Sequence, residues 1–236
     1  MGYIDVHSHI LPNLDDGAES IEQSIEMLRI ATEEGITKII ATPHNMPGKG
    51  CHAREILQES LCLLREAAGK VGIHMELFLG TEYFYREEVQ VLLEQEEAVT
   101  MADSQCVLLE FYPSEDVSYI RNAVRDVFSA GYRPVIAHVE RYEQLMKKKE
   151  EIKTIKNMGA LLQVNASSVI GDNGLFCKRN VKWLLKERLV DFVATDAHSA
   201  GHRAPRMEKC AVYLYKKYGT EYADELLFRN AERFFF

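Results

Sequence analysis

Two spacings of apolar residues alternate along this chain. Seven short runs are β-branched or aliphatic with few charges inside: YIDVHSH (3–9), KIIATPH (38–44), HMELFLGTE (74–82), CVLLEF (106–111), RPVIAHVE (133–140), ALLQVNAS (160–167) and DFVATDAH (191–198). Apolar runs of this length suit parallel strands covered on both faces. Between them, apolar residues fall at helical spacing. In SIEQSIEMLRIATEEG, Ile21, Ile25, Leu28 and Ala31 share one helix face and Gly35 supplies a C-terminal stop. VSYIRNAVRDVFSAG repeats the pattern and ends at Gly131. Strand and helix alternating with a period of about 30 residues, the size of a right-handed βαβ unit, predict a parallel sheet. After Ala197, PRMEKCAVYLYKKYG and YADELLFRNAERF read as helices, with no eighth strand. No Pro/Gly/Ser-rich linker or low-complexity segment divides the chain, so one α/β domain over residues 1–236 is expected.

Composition adds exclusions. With 47% hydrophobic and 27% charged residues the chain is globular rather than disordered or fibrous, and 236 residues suffice for one substantial core. Lys plus Arg number 28 against 36 Asp plus Glu, a net charge of −8. Such a surface repels phosphate backbones and argues against nucleic acid as a partner. The one basic run, Lys147 to Lys149 within EQLMKKKEEIKTIKNMG, reads as the solvated face of a helix. No apolar run approaches the roughly 18 residues of a membrane span. No basic stretch leads into an apolar core at the N-terminus, so neither a secretion signal nor membrane insertion is expected. The cysteines (Cys51, Cys62, Cys106, Cys177 and Cys210) are scattered, odd in number and without a C-x-x-C pair, which suits reduced thiols in the cytoplasm.

Metal-capable side chains gather at the C-terminal ends of the runs. They are His7 and His9, His44, Glu82, Glu110, His138, then Asp196 and His198, with Asp15 and Asp16 in the loop after the first run. In a parallel barrel all these ends open on one face, where such folds hold their active sites. A single histidine after a strand is most often a hydrogen-bonded structural residue. Alternate residues of a strand point to one side, so the pair His7 and His9 is a stronger signal. Six of the seven runs end in a metal-capable side chain, and only the NAS run does not. Burying that many imidazoles and carboxylates without a counter-charge costs roughly several kcal/mol each. Divalent metals remove that cost and accept mixed nitrogen and oxygen ligands. One ion takes about four to six ligands, fewer than the set offers, so two or three bridged ions are expected rather than one that braces the barrel.

Absent motifs narrow the chemistry. No cysteine has an arginine six positions later, so the C-x5-R cradle of thiol-dependent phosphatases is missing. Neither G-x-x-x-x-G-K-[ST], G-x-G-x-x-G nor G-x-S-x-G occurs, which removes support for nucleotide-dependent transfer, dinucleotide redox chemistry and the serine elbow. Metal-assisted hydrolysis remains. Arg141 lies three residues after His138 in HVER, and Arg203 five after His198 in DAHSAGHR. Each alone reads equally well as a surface salt bridge. Together beside a metal cup they point to a phosphate-bearing substrate.

These residues carry a resemblance. The first-strand H-x-H, the later His, Glu, Glu and His, and the final D-x-H resemble the PHP (polymerase and histidinol phosphatase) superfamily. More closely, IDVHSHILPNLDDGAES, ATPH, GTE, LLEF, PVIAHVERY, QVNASS and ATDAHS, from Ile4 to about Asn230, resemble the manganese-dependent protein-tyrosine phosphatases of bacterial capsule and exopolysaccharide loci, the CpsB/YwqE type. The resemblance implies a distorted TIM-like (β/α)7 barrel, the PHP fold, with three metal ions: Mn2+ by resemblance, with Fe or Zn also permitted by the mixed ligands. It assigns His7, His9, Glu82 and Asp196 to one ion, Glu82, Glu110 and His138 to a second, and Asp16, His44 and His198 to a third. Asp15 is left to cap the helix or orient its neighbour. Arg141 and Arg203 fall on phosphate-binding positions and, with His138 and Asp196, make the expected catalytic set. The implied reaction is hydrolysis of phosphotyrosine by a metal-bound hydroxide. The implied target is a bacterial tyrosine kinase that regulates polysaccharide export, with oligomerisation left open. A tyrosine leaving group, with a free pKa near 10, needs little protonation, and no general acid is assigned. The loop NMPGKGC, 45–51, lies outside the matching motifs and bears on substrate choice.

Three competitors remain. One is another PHP phosphoesterase such as a histidinol-phosphate phosphatase, against which the DDG and HVER segments count. Another is a non-catalytic metal-stabilised barrel that binds a kinase or polysaccharide-assembly partner. The third is amidohydrolase chemistry on a C–N bond, whose barrels typically add a strand-end lysine that no run here supplies.

Overall fold

The computed structural model describes residues 2–236. Its strands are β1 (Tyr3–Ser8), β2 (Ile36–Ala41), β3 (His44–Asn45), β4 (Glu76–Leu79), β5 (Glu82–Phe84), β6 (Cys106–Glu110), β7 (Arg133–Ile136), β8 (Leu161–Asn165) and β9 (Phe192–Ala194), all paired in parallel. The seven expected runs thus become nine segments, because two runs are interrupted. The run 38–44 breaks between β2 and β3 at Thr42 and Pro43, where proline has no N–H to give the ladder. The run 74–82 breaks between β4 and β5 at Gly80 and Thr81. The two breaks lie side by side, so pairing passes from β2–β4 to β3–β5. Bonds from Gly80 N–H to the Ala41 carbonyl (2.8 Å) and from Glu82 N–H to the Pro43 carbonyl (3.0 Å) carry the ladder across the gap.

The seven runs follow one another around a ring in chain order. Its last run returns to its first: Asp196 N–H donates to the His7 carbonyl at 2.9 Å and His9 N–H to the Ala197 carbonyl at 2.8 Å. The closed sheet is a parallel (β/α)7 barrel. Strand side chains alternate between two apolar layers, as the pleat requires. Ile4, Val6, Ile40, Leu108, Val135 and Phe192 fill the inside, while Ile39, Leu77, Leu109, Ile136, Leu162 and Val193 meet the helices. The helix Ile21–Glu33 buries Met27, Leu28 and Ala31 against that outer layer, and its N-cap Ser20 accepts the Gln23 N–H. EQLMKKKEEIKTIKNMG forms two helices, Glu143–Lys147 and Lys149–Asn157, with Lys147 to Lys149 exposed and Ile152 and Ile155 buried.

Beyond β9 the chain is helical, and its end seals the barrel floor. Ala231 and Phe235, from the helix Asn230–Phe235, join the interior layer, and Phe235 lies 5.0 Å from the Phe192 ring. Phe236 packs on Phe78 at 4.5 Å. One mouth of the ring is therefore closed by apolar side chains, and polar groups converge at the other. Among the described residues no helix is long and apolar enough to cross a membrane.

Candidate metal centre

His7 lies in β1 and His9 just beyond it; His44 and Glu82 open β3 and β5; Glu110 closes β6; His138 follows β7, and Asp196 and His198 follow β9. All are buried except Glu110, which is half-buried. Asp16 reaches in from the loop after β1 with 44% of its side chain exposed.

Glu82 is the hub. Its Oε2 lies 3.3 Å from His7 Nε2 and 3.2 Å from His9 Nε2, and Asp196 Oδ1 lies 3.6 and 3.7 Å from the same two nitrogens. Its Oε1 lies 3.0 Å from His138 Nε2, which is 3.4 Å from Glu110 Oε1. A third group forms around Asp16 Oδ1, at 3.3 Å from His44 Nε2 and 3.5 Å from His198 Nε2. His9 and His44 are shared between groups. His9 clusters with Asp16, His44 and His198 as well as with His7 and Glu82, and His44 clusters also with Glu82 and Glu110. His138 (φ 31°) and Asp196 (φ 53°) hold left-handed backbone conformations, which turn both side chains off their strands into the cup. Outside glycine, His and Asp tolerate that region better than most residues, at a cost of roughly 1 kcal/mol or more.

The donor chemistry fits divalent metal. Glu82 Oε2 and His44 Nδ1 are buried without a hydrogen-bond partner although 3.0 Å apart. The set mixes imidazole nitrogens with carboxylate oxygens and contains no thiolate, a combination suited to Mn, Fe or Zn. Burial opposes ionisation of Asp196, yet His7, Arg141, His138 and Arg203 outweigh it and hold the carboxyl well below its ordinary range. Glu82 is depressed in the same way, by His7, His138 and His44 against burial. Burial lowers the His9 pKa, but Asp15 and Glu82 overcome it and raise the group to about 10. His138 rises to about 9, as Glu110 and Glu82 override burial and Arg141. Burial and the neighbouring charge of His9 hold His198 down at about 4.

His9 and His138 of the metal-free protein are therefore protonated at neutral pH, whereas His198 is not. Those protons must leave before the nitrogens can ligate, so metal affinity rises with pH until about 9 to 10. Calorimetric titration of Mn2+ into chelator-stripped protein at pH 7.5, in buffers of different ionisation enthalpy, is expected to show net proton release on binding. Heats that do not depend on the buffer would contradict these proton positions.

The chain matches the family described as "Capsular polysaccharide synthesis, CpsB/CapC" over residues 3–235. It belongs to the CpsB/CapC family. Tyrosine-protein phosphatase CpsB of Streptococcus pneumoniae is 31% identical over 235 residues, covering 98% of this chain and 97% of that one. Tyrosine-protein phosphatase YwqE of Bacillus subtilis (strain 168) is 32% identical over 229 residues, covering 97% and 90%. A crystal structure from work on B. subtilis YwqE and S. pneumoniae CpsB, described there as unique metal-dependent tyrosine phosphatases, superposes with a TM-score of 0.92 at 32% identity, covering 98% of this chain and 94% of that one. A mutant organophosphorus hydrolase from Deinococcus radiodurans, with a TM-score of 0.63 at 14% identity, shares the fold alone.

In this CpsB/CapC chain the metal-capable side chains are held from behind. Asp15 Oδ2 lies 2.7 Å from His9 Nδ1 and accepts the His44 N–H at 2.8 Å, while its Oδ1 accepts the Gly17 N–H at 2.8 Å. Asp15 thus orients its neighbours, and helix capping falls to Ser20. Gly17 completes the DDG segment because a Cβ there would collide with the His9 backbone and side chain. Asp15→Ala is expected to weaken metal affinity about 10- to 100-fold with the fold retained; metal content after graded dialysis reads this, and unchanged retention would contradict it.

Gln163 and Asn165 were not anticipated. Gln163 Oε1 accepts the His138 N–H at 2.7 Å and lies 3.2 Å from His7 Nδ1, leaving His7 Nε2 toward the cup. Gln163 Nε2 donates to Asn165 Oδ1 and Asn165 Nδ2 to Asp196 Oδ2, both at 2.8 Å. The NAS run, the one without a ligand, therefore ties His7, His138 and Asp196 together. Its signal was two amide side chains at alternate positions of an otherwise apolar strand, hence on one face.

Proposed function

We propose that this chain is a metal-dependent protein-tyrosine phosphatase, a phosphoric monoester hydrolase, with residues 1–236 acting as one phosphatase domain. One observation carries the reading: a nine-residue nitrogen and oxygen cup with two arginines held against it. In this reading His7, His9, Glu82 and Asp196 would hold one ion, Glu82, Glu110 and His138 a second, and Asp16, His44 and His198 a third, with His9 and His44 near enough to serve two. Mn2+ is the proposed metal, on the family resemblance and a ligand set that admits it. Bound divalent ions supply Lewis acidity and lower the pKa of a coordinated water.

The side chains do the positioning. Arg141 and Arg203 each bring one guanidinium nitrogen to 2.9 Å from Asp196, and their side chains are 31% and 39% exposed. Each guanidinium has further N–H groups with which to bind phosphoryl oxygens arriving from solvent. Asp196 fixes their direction, and Asn165 fixes Asp196. The tyrosine oxygen, with its free pKa near 10, leaves with less proton donation than an alkoxide. Burial pushes the Cys106 thiol up to about 11 and that of Cys210 higher still, which disfavours a thiolate nucleophile at either. The proposed partner is a phosphotyrosine-bearing protein in the cytoplasm, a tyrosine kinase governing capsular or exopolysaccharide synthesis. The names of the relatives support the phosphotyrosine and the family description the link to capsular polysaccharide, while the kinase and the cytoplasm rest on the resemblance alone.

Chelation followed by reloading with Mn2+, Fe2+ or Zn2+, and assay on phosphotyrosyl peptide, phosphoseryl peptide and histidinol phosphate, tests the proposal. The expected result is phosphotyrosyl turnover that chelation removes and Mn2+ restores. Preference for histidinol phosphate would move the chain to another PHP phosphoesterase. Metal-raised thermal stability with no turnover would make it a binding barrel.

A further inference from the structure

We propose that Phe84 and Tyr112 form an aromatic wall against which the ring of a phosphotyrosine substrate packs, and that this wall sets a preference for aryl over alkyl phosphates. The inference rests on the phosphatase reading and adds the residues that recognise the leaving group. Phe84 lies two positions beyond Glu82 on β5, so it shares the face of Glu82 and stands about 7 Å farther toward the open mouth. In the ladder Phe84 is paired with Glu110, and Tyr112 follows Glu110 by two residues. Both rings therefore rise from the stretch of rim that carries the two carboxylates. They meet edge to face, with centroids 4.6 Å apart and an interplanar angle of 69°.

Exposure separates this pair from its aromatic neighbours in sequence. Tyr83, Tyr85 and Phe111, which alternate with them in sequence, are buried in the layer beneath the helices. Tyr112 is 54% exposed and Phe84 is half-buried. Their flank is braced: Arg86 donates to the Asn45 carbonyl and to Asn45 Oδ1, both at 3.2 Å, and so pins the start of the 45–51 loop beside β5. An aryl phosphate carries its ring directly on the ester oxygen, so a phosphate held at the cup would send that ring toward side chains about two residues of strand farther out. A phosphoserine presents only a methylene there. A third ring can join an edge-to-face pair with a gain beyond simple burial.

The test uses Mn2+-loaded wild type, Tyr112→Ala and Phe84→Leu, with Tyr112→Phe and Phe84→Tyr as conservative partners. For a phosphotyrosyl peptide, Tyr112→Ala and Phe84→Leu are expected to raise KM roughly tenfold with kcat changed by less than about twofold. The ratio of kcat/KM for that peptide over β-glycerophosphate should narrow by the same factor, and the conservative partners should restore it. Calorimetry gives a readout without turnover: the Kd ratio between inorganic phosphate and a peptide bearing phosphonomethyl-phenylalanine should narrow equally. Unchanged ratios in an enzyme whose wild type hydrolyses phosphotyrosine would overturn the wall while leaving the phosphatase reading intact. A metal-loaded wild type inert toward phosphotyrosine would overturn both.

Discussion

Asp196→Ala is expected to lower kcat/KM for phosphotyrosyl peptide by about a thousandfold or more, while the protein still folds. The Asp196 carboxylate joins the histidines of the cup to both arginines and to the amide of Asn165. Its Oδ1 faces His7, His9 and His198 at 3.6, 3.7 and 3.5 Å. Arg141 and Arg203 both anchor on it, and Asn165 donates to it. Removing the carboxylate takes away an anionic donor and, at the same time, the fixed point that aims both arginines. The freed guanidinium groups are partly exposed and regain water, so stranding them costs less than stranding a fully buried charge, about 3–5 kcal/mol. Alanine at the left-handed backbone of residue 196 adds roughly 1–2 kcal/mol of strain. Asp196→Asn separates that strain from chemistry, since asparagine tolerates the conformation but cannot carry the charge. Both variants should lose activity and metal, read by steady-state kinetics and elemental analysis, with near-native circular dichroism. Full turnover in either would remove Asp196 from the machinery.

Phe235→Ala is expected to lower the melting temperature by about 10 °C without altering chemistry measured at low temperature. Phe235 is 4% exposed and packs inside the barrel floor against Phe192. Truncating a buried phenylalanine removes its transfer free energy and leaves a cavity, together about 3–5 kcal/mol. In a chain of this size each kcal/mol shifts the midpoint by about 2–4 °C. Phe236, 46% exposed, should move the midpoint far less when replaced by alanine. The cup lies at the opposite mouth, so kcat/KM at 20 °C should remain near wild type. A shift below about 2 °C for Phe235→Ala would mean that the terminal helix frays and does not seal the floor.

The periodicity alone carried the seven runs, their parallel arrangement and the face on which His7, His9, His44, Glu82, Glu110, His138, Asp196 and His198 meet. Those features follow from local geometry: a strand alternates its sides every residue, and βα units place every strand end on one face. What depends on partners far away in the chain was decided only by tertiary structure. The breaks at Pro43 and Gly80 were not expected, because they show only when two runs lie side by side. Asp15 could not be told from a helix cap until His9 and His44 were seen to share its carboxylate. Gln163 reads as an ordinary polar residue until ring closure brings it against residues 7 and 138. The terminal phenylalanines had no place until a barrel existed for them to close. Covalent geometry makes strand period and strand-end position local properties of the chain. Hydrogen-bond partners and cavity filling are properties of the closed ring, and no window of sequence contains them.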